Sequence, residues 1–231
     1  MTGSPSRRGV VGGALMLAGL SVMPVGAWAA EGQTPPLAVP LPAPPRPPVI
    51  VDAEGVMRWG PAGEEVAVFG VNYCLPSASA YRYARAAGAD LDRTVIQDLD
   101  HLKRLGQDAI RLSFWGDYEV TERNGDLIEN DHLRLLDRVV AEASARGMAM
   151  LLSPIVTYNA NWPDALDQPV RGIGGAFEKG ELGLNPAAIA AQVNYLTQLL
   201  SRPSALTGRR LADEPWLIAV EPVNEPWHHP E

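Results

Sequence analysis

Between Val49 and Glu231 the apolar residues of this chain change period again and again, and that alternation restricts what it can fold into more than any other feature. Short aliphatic or β-branched runs, the pattern of buried strands, cover 66–71, 109–114, 148–156 and 216–223. Between them lie longer segments of helical spacing. Leu91, Val95, Leu99, Leu102 and Leu105 form a stripe that ends at Gly106, a natural C-cap. A second helix begins at Asp131, carries Leu133, Leu136, Val139, Val140 and Ala143 on one face, and is stopped by Gly147. A third has Asn185 as N-cap and Pro186 in its first turn, followed by Ile189, Val193, Leu196 and Leu200. Strands joined by helical crossovers are parallel β/α units.

Two architectures accept such units. An open doubly wound sheet would carry a glycine-rich phosphate signature in a βα turn, and neither G-x-G-x-x-G nor G-x-x-x-x-G-K occurs. The pattern therefore predicts an α/β chain of the (β/α)₈ TIM-barrel type. Such barrels run to about 250 residues, so residues 49–231 read as the N-terminal half, with about the first four βα units. The sequence stops directly after its most informative motif, as a fragment of a longer reading frame would.

Charge and cysteine content exclude several classes of function. The formal charge is −8, with no basic run beyond the first ten residues, so the electrostatic footprint of a nucleic-acid binder is missing. One cysteine, Cys74, closes no intramolecular disulfide, no Cys/His pairs stand at zinc spacing, and no cofactor motif is present. Cys74 reads as a small packed residue just past the first barrel strand.

Residues 1–29 differ in kind. Arg7 and Arg8 precede an uncharged stretch centred on Ala14-Leu15-Met16-Leu17-Ala18, and Ala27-Trp28-Ala29 supplies a signal-peptidase site. This is an export signal of twin-arginine type, which predicts a periplasmic or extracellular protein that has no membrane contact after cleavage. Residues 30–48 are so rich in proline that backbone donors are scarce; they read as an extended, semi-rigid linker.

The chemistry concentrates in Ala219-Val220-Glu221-Pro222-Val223-Asn224-Glu225-Pro226-Trp227, a strand ending in Asn-Glu-Pro at the barrel's C-terminal mouth, where such barrels hold their active sites. A strand-ending turn, with proline merely stopping further pairing, is the bland reading of that tripeptide. In this setting the chain resembles clan A glycoside hydrolases, most closely the family-five group that contains β-mannanases and endoglucanases. The resemblance also rests on Phe69-Gly70-Val71-Asn72-Tyr73, Ile110-Arg111-Leu112 and Asp213-Glu214-Pro215. It implies a retaining hydrolysis with Glu225 as general acid/base, Asn224 bonding the sugar 2-hydroxyl, and a nucleophilic glutamate beyond residue 231.

Arg111 lies in an otherwise apolar strand and needs a carboxylate if buried. The resemblance assigns it to the nucleophile; an interior pair with Glu221 is the alternative. Trp115, Trp162 and Trp227 offer flat faces on which a sugar ring can stack, and Tyr158 and Asn159 offer polar groups, although each tryptophan would also serve as core packing. Where the family often has a histidine at the end of the third strand, this chain has Pro154. His228 and His229 follow the motif; adjacent histidines without a carboxylate cluster make a poor metal site, so His228 is taken as a sugar-site candidate and no metal is expected. The glycine-rich stretch 172–183 reads as a rim loop.

The function expected from the sequence is hydrolysis of O-glycosidic bonds in a β-linked mannan- or glucan-type polysaccharide or oligosaccharide, serving carbohydrate catabolism. The alternative is a non-catalytic carbohydrate-binding or pseudoenzyme fragment. Export is directly testable. N-terminal sequencing of protein from periplasm or culture fluid should begin at or near Ala30, and an intact Met1 in the membrane pellet would show that the segment is retained.

Overall fold

The computed structural model describes residues 37–157 and 171–227. Four parallel strands lie in the order β3 (Gly70–Tyr73), β4 (Ala109–Ser113), β5 (Ala149–Ser153) and β6 (Leu217–Val220). Asn72 pairs with Arg111, Arg111 with Leu151 and Leu151 with Ala219, so these four form one row across the sheet. A register irregularity falls between Met150 and Leu151. Side chains alternate along a strand, so the residues flanking this row face the other way. Ile110, Leu112, Met150 and Leu152 are fully buried there, in one core with Val95 and Leu99 of α2 (Leu91–Arg104), Leu136 and Val139 of α3 (Asp131–Ala145), and Tyr195 and Leu199 of α5 (Pro186–Ser201). Each such side chain contributes about 1.5–3 kcal/mol by leaving water.

The helices start where side chains can satisfy their orphan amides. Asp90 accepts from Arg93 N at 3.0 Å, Asn130 from Leu133 N at 3.0 Å, and Asn185 from Ala187 N at 3.0 Å. Gly147, with φ +60°, ends α3 in the left-handed turn, and Met148 N returns to Ala143 O at 3.0 Å.

Three differences from the sequence reading have physical causes. The run 66–71 does not form one strand: β3 starts only at Gly70, because Val66 N is spent on Met57 O at 2.8 Å and Glu65 bridges Arg58. Its first residues instead extend an antiparallel hairpin, β1 (Val49–Val51) with β2 (Met57–Trp59). The hairpin turn is held by Asp52, whose carboxylate accepts from Glu54 N, Val56 N and Arg58 Nε; the bond from Val56 and the Arg58 guanidinium hold its pKa below the usual carboxylate range. Second, α1 (Ala78–Ala86) is an added helix, with Ser77 as N-cap.

Third, residues 37–48 are irregular, as their prolines dictate, yet they are fastened to the barrel. Ala43 N donates to Ser144 O at 3.0 Å, and the Arg138 guanidinium donates to the carbonyls of Leu37 and Ala38 at 3.3 and 3.2 Å. Arg46 lies 4.8 Å from the ring centre of Trp59 and 5.7 Å from that of Trp216. Covered in part by this strap, α3 is buried nearly all round rather than along one face, and its charges are paired: Arg138 and Arg146 with Glu142, Arg202 with Asp137.

Behind the strand mouths, His132 of α3 is fully buried, stacked 4.4 Å from Tyr81 and 4.6 Å from Phe114. Its Nε2–H donates to Pro76 O at 2.6 Å, which fixes the Nε2–H tautomer of the neutral ring. Burial pushes its pKa down from 6.5 to about 4. The unfolded chain therefore takes up a proton that the folded one refuses, and stability is lost as pH falls from 6.5 towards 4. The melting temperature should drop across that window. His132→Phe should melt lower at neutral pH but show a flatter slope below pH 6.5; parallel curves for the two proteins would show that His132 does not carry the effect.

Candidate active site

The row Asn72, Arg111, Leu151, Ala219 carries one strong base, and the polar groups around it have converged on that base. Arg111 Nε donates to Glu221 Oε2 at 3.1 Å, and Nη2 forms a close ion pair with the same oxygen. Nη2 also donates to Asn224 Oδ1 at 2.8 Å and Ser153 Oγ at 3.3 Å, and Nη1 to Ser113 Oγ at 3.1 Å and Asn72 Oδ1 at 3.4 Å. Guanidinium has donors only, so the Asn224 oxygen must face it and the Asn224 amide NH₂ must face elsewhere. The side chain is pinned from behind too, since Asn224 N donates to Ile155 O at 2.8 Å and the residue is buried. Arg111 thus has Glu221 as its carboxylate partner, the pair that the sequence offered as the alternative to a nucleophile beyond residue 231.

Glu225 follows β6 with φ +49° and a side chain that is 75% exposed. A buried lysine, Lys179, stands 3.9 Å from its carboxylate. Lys179 belongs to the glycine-rich stretch read as a rim loop; a lysine in a loop gave no signal of a role, and only tertiary structure delivers it to the Asn-Glu-Pro motif. Trp115, two residues past the end of β4, has φ +51° and is partly buried against Ala78, Tyr118 and Val156. It is both packed and partly accessible. Trp227 is well exposed, at 66%. Tyr158, Asn159, Trp162 and His228 lie outside the described residues. Cys74, read from the sequence as packed, is exposed: β3 ends at Tyr73, and the sulfur sits in the turn before α1.

The sequence reading missed Asp117. It sits in the 3₁₀ turn Gly116–Tyr118 directly after β4, is completely buried, and accepts from Val156 N at 3.2 Å, Thr157 N at 2.8 Å and Thr157 Oγ1 at 2.6 Å. Burial pushes its pKa up to about 6, against the lowering effect of these donors. Thr157 itself has φ +32°, a costly backbone for a β-branched residue. The non-glycine residues of positive φ, among the described residues, are Trp115, Thr157 and Glu225, and each lies in the segment that follows the C-terminal end of a parallel strand, β4, β5 and β6 respectively. Strain of this kind persists only where surrounding contacts over-determine it, and it gathers at functional sites. Among the described residues no group of three or more His, Cys, Asp or Glu side chains is placed to hold a metal ion, and no helix is long and apolar enough to cross a membrane.

No family model matches the chain. Over 119 residues it is 29% identical to mannan endo-1,4-β-mannosidase 2 of Arabidopsis thaliana, and over 116 residues 32% identical to the protein of the same name in Oryza sativa. Each match covers 48% of this chain and 26% of the relative, so the chain spans about a quarter of the length of the curated relatives it matches. Among solved structures, the endo-1,4-β-mannanase of Rhizomucor miehei superposes with a TM-score of 0.50 at 18% identity, covering 80% of this chain and 48% of that one. The family 5 mannosidase of the same organism gives 0.51 at 13%, covering 78% and 49%. The four-stranded unit therefore has the fold of part of a (β/α)₈ barrel, and in sequence the chain is similar over about half its length to mannan endo-1,4-β-mannosidases.

Proposed function

We propose that the protein is a retaining glycoside hydrolase that cleaves β-1,4-linked mannan or its oligosaccharides, with Glu225 as general acid/base. One observation carries this reading: Arg111 holds the Asn224 side-chain oxygen, so the Asn224 NH₂ is left to serve another partner, and the next residue of the chain, Glu225, carries an exposed carboxylate beyond β6. A donor held beside an acid is what glycosidic cleavage requires. The acid protonates the departing oxygen, and a hydrogen bond to the sugar 2-hydroxyl strengthens as the oxocarbenium-like transition state forms. Glu221 is committed to Arg111, which leaves Glu225 as the carboxylate of this strand able to meet a ligand. A nucleophile on a later strand, about 5 Å from Glu225, would complete the pair. The curated relatives are mannosidases, which favours mannan over glucan. Trp115 and Trp227 supply stacking faces, and the reading of residues 1–29 as an export signal agrees with work outside the cytoplasm, where polysaccharide is met.

The test separates the two carboxylates in the protein as its gene encodes it. Glu225→Gln should cut hydrolysis of mannan by roughly two to four orders of magnitude, yet largely spare glycosylation by an activated aryl β-mannoside whose leaving group needs no proton. Azide should then restore turnover of the aryl substrate with retained configuration. Equal losses on both substrates, without rescue, would take Glu225 out of the acid/base role. Sugar binding by a wild-type protein that cleaves neither substrate would favour the non-catalytic reading.

A further inference from the structure

The turn that follows β4 makes contacts out of proportion to its three residues. On one side it continues from Trp115, which packs against Tyr118 and Val156. Through the Asp117 carboxylate it takes three donors from Val156 and Thr157, the last described residues after β5. Through the Asp117 carbonyl it accepts from Thr121 Oγ1 at 3.0 Å, and that hydroxyl oxygen accepts from Ile173 N at 3.1 Å. Ile173 belongs to α4 (Gly172–Ala176), where the described chain resumes. Gly172, with φ +67°, lies so close to the Asp117 carbonyl and Thr121 hydroxyl that a Cβ there would collide with both. One buried residue therefore ties down both sides of the β5 rim and the tryptophan that flanks it.

Packing alone does not require this arrangement. Burial raises the carboxyl's pKa, so the ionised form is held at a cost, and Thr157 is held in a left-handed conformation at a further cost. Tyr195 adds a buried hydroxyl near the same turn that has no hydrogen-bond partner among the described residues, and Gly116 leaves room for it, since a Cβ there would lie 2.6 Å from that oxygen. Apolar side chains would fill this volume with less strain; what they would not do is fix the direction of the Thr157 N–H and hydroxyl. The cost is explained if the placement of the rim matters.

We propose that Asp117 is a positioning residue of the glycan site: by holding Thr157 and Ile173 to the Trp115 turn, it sets the spacing between the Trp115 face and the β5 rim, and with it the affinity for the sugar. The inference rests on the glycosidase reading above, and Asp117 acts through its neighbours without touching substrate. Its loss should appear in KM, because ground state and transition state both need the same wall, while the acid at Glu225 stays in place.

The experiment compares wild type with Asp117→Asn, Thr157→Val and Thr157→Ser on a β-1,4-manno-oligosaccharide, with the folded fraction measured by melting. An asparagine cannot accept at both of its side-chain positions, and valine lacks the hydroxyl donor, so each should raise KM about tenfold with kcat little changed. Thr157→Ser keeps the hydroxyl and should recover most of the affinity. If Asp117→Asn does not fold, Thr157→Val against Thr157→Ser gives the same comparison. Variants that melt lower but keep wild-type KM and kcat in the folded fraction would reduce Asp117 to a structural group and overturn the proposal while leaving the glycosidase reading intact. A wild type that neither cleaves nor binds the oligosaccharide would instead remove that reading, and this inference with it.

Discussion

The rest of the site depends on the Arg111 guanidinium. From β4 it reaches Asn72 of β3, Ser113 of its own strand, Ser153 of β5, and Glu221 and Asn224 beyond β6, so one side chain is shared by all four strands. A cation placed among barrel-facing groups is tolerated only if its donors are used, and here each nitrogen has at least one acceptor. The planar fork matters as much as the charge, because it meets a carboxylate and an amide oxygen from fixed directions. The contacts between strands and the orientations of Asn224 and Glu221 are thereby settled together. The pair remains partly accessible, so its value lies in orientation more than in stability.

The two ends of the sheet are built on different principles. At the N-terminal end the contacts are apolar and cationic: Trp59 of the β1–β2 hairpin packs with Ala109 and Ala149, stands edge-on to Trp216 at 6.5 Å, and Arg46 of the strap lies over both indoles. Among the described residues, those of positive φ at that end are glycines, Gly55, Gly60, Gly106 and Gly147 among them, which adopt it without steric cost. At the C-terminal end, Trp115, Thr157 and Glu225 are all held in left-handed backbone, and the buried polar groups Asp117, Thr121 and Asn224 brace them. That division between a stabilising floor and a strained rim is the one barrel enzymes commonly use.

Much of this was legible in the chain. The helix α5 begins where its Asn185 cap and Pro186 predict, because a capping amide acts within three residues of itself and needs no tertiary partner, and α3 begins at Asp131 as read. Three of the parallel strands, β4, β5 and β6, fall within the apolar runs that announced them, and the Asn-Glu-Pro motif lies at the mouth of β6 as its position implied. Local chemistry and hydrophobic period are properties of sequence, and they determined the elements, the fold class and the residue pair around which the site is built.

Tertiary structure alone decided what long-range pairing controls. Whether Val66 belongs to a barrel strand or a hairpin depended on which carbonyl reached it first, and Met57 is nine residues away. Proline content made residues 37–48 extended, but their attachment to Arg138 and Ser144 depends on groups about a hundred residues distant. Asp117 and Lys179 look like ordinary surface charges in the sequence; one is buried under Thr157 and the other is brought to Glu225 only when the loops close over the strand ends. A sequence shows which side chains carry donors and charges, whereas their partners are fixed by the packing of the whole chain, and that is why the elements could be read in advance and the bracing of the rim could not.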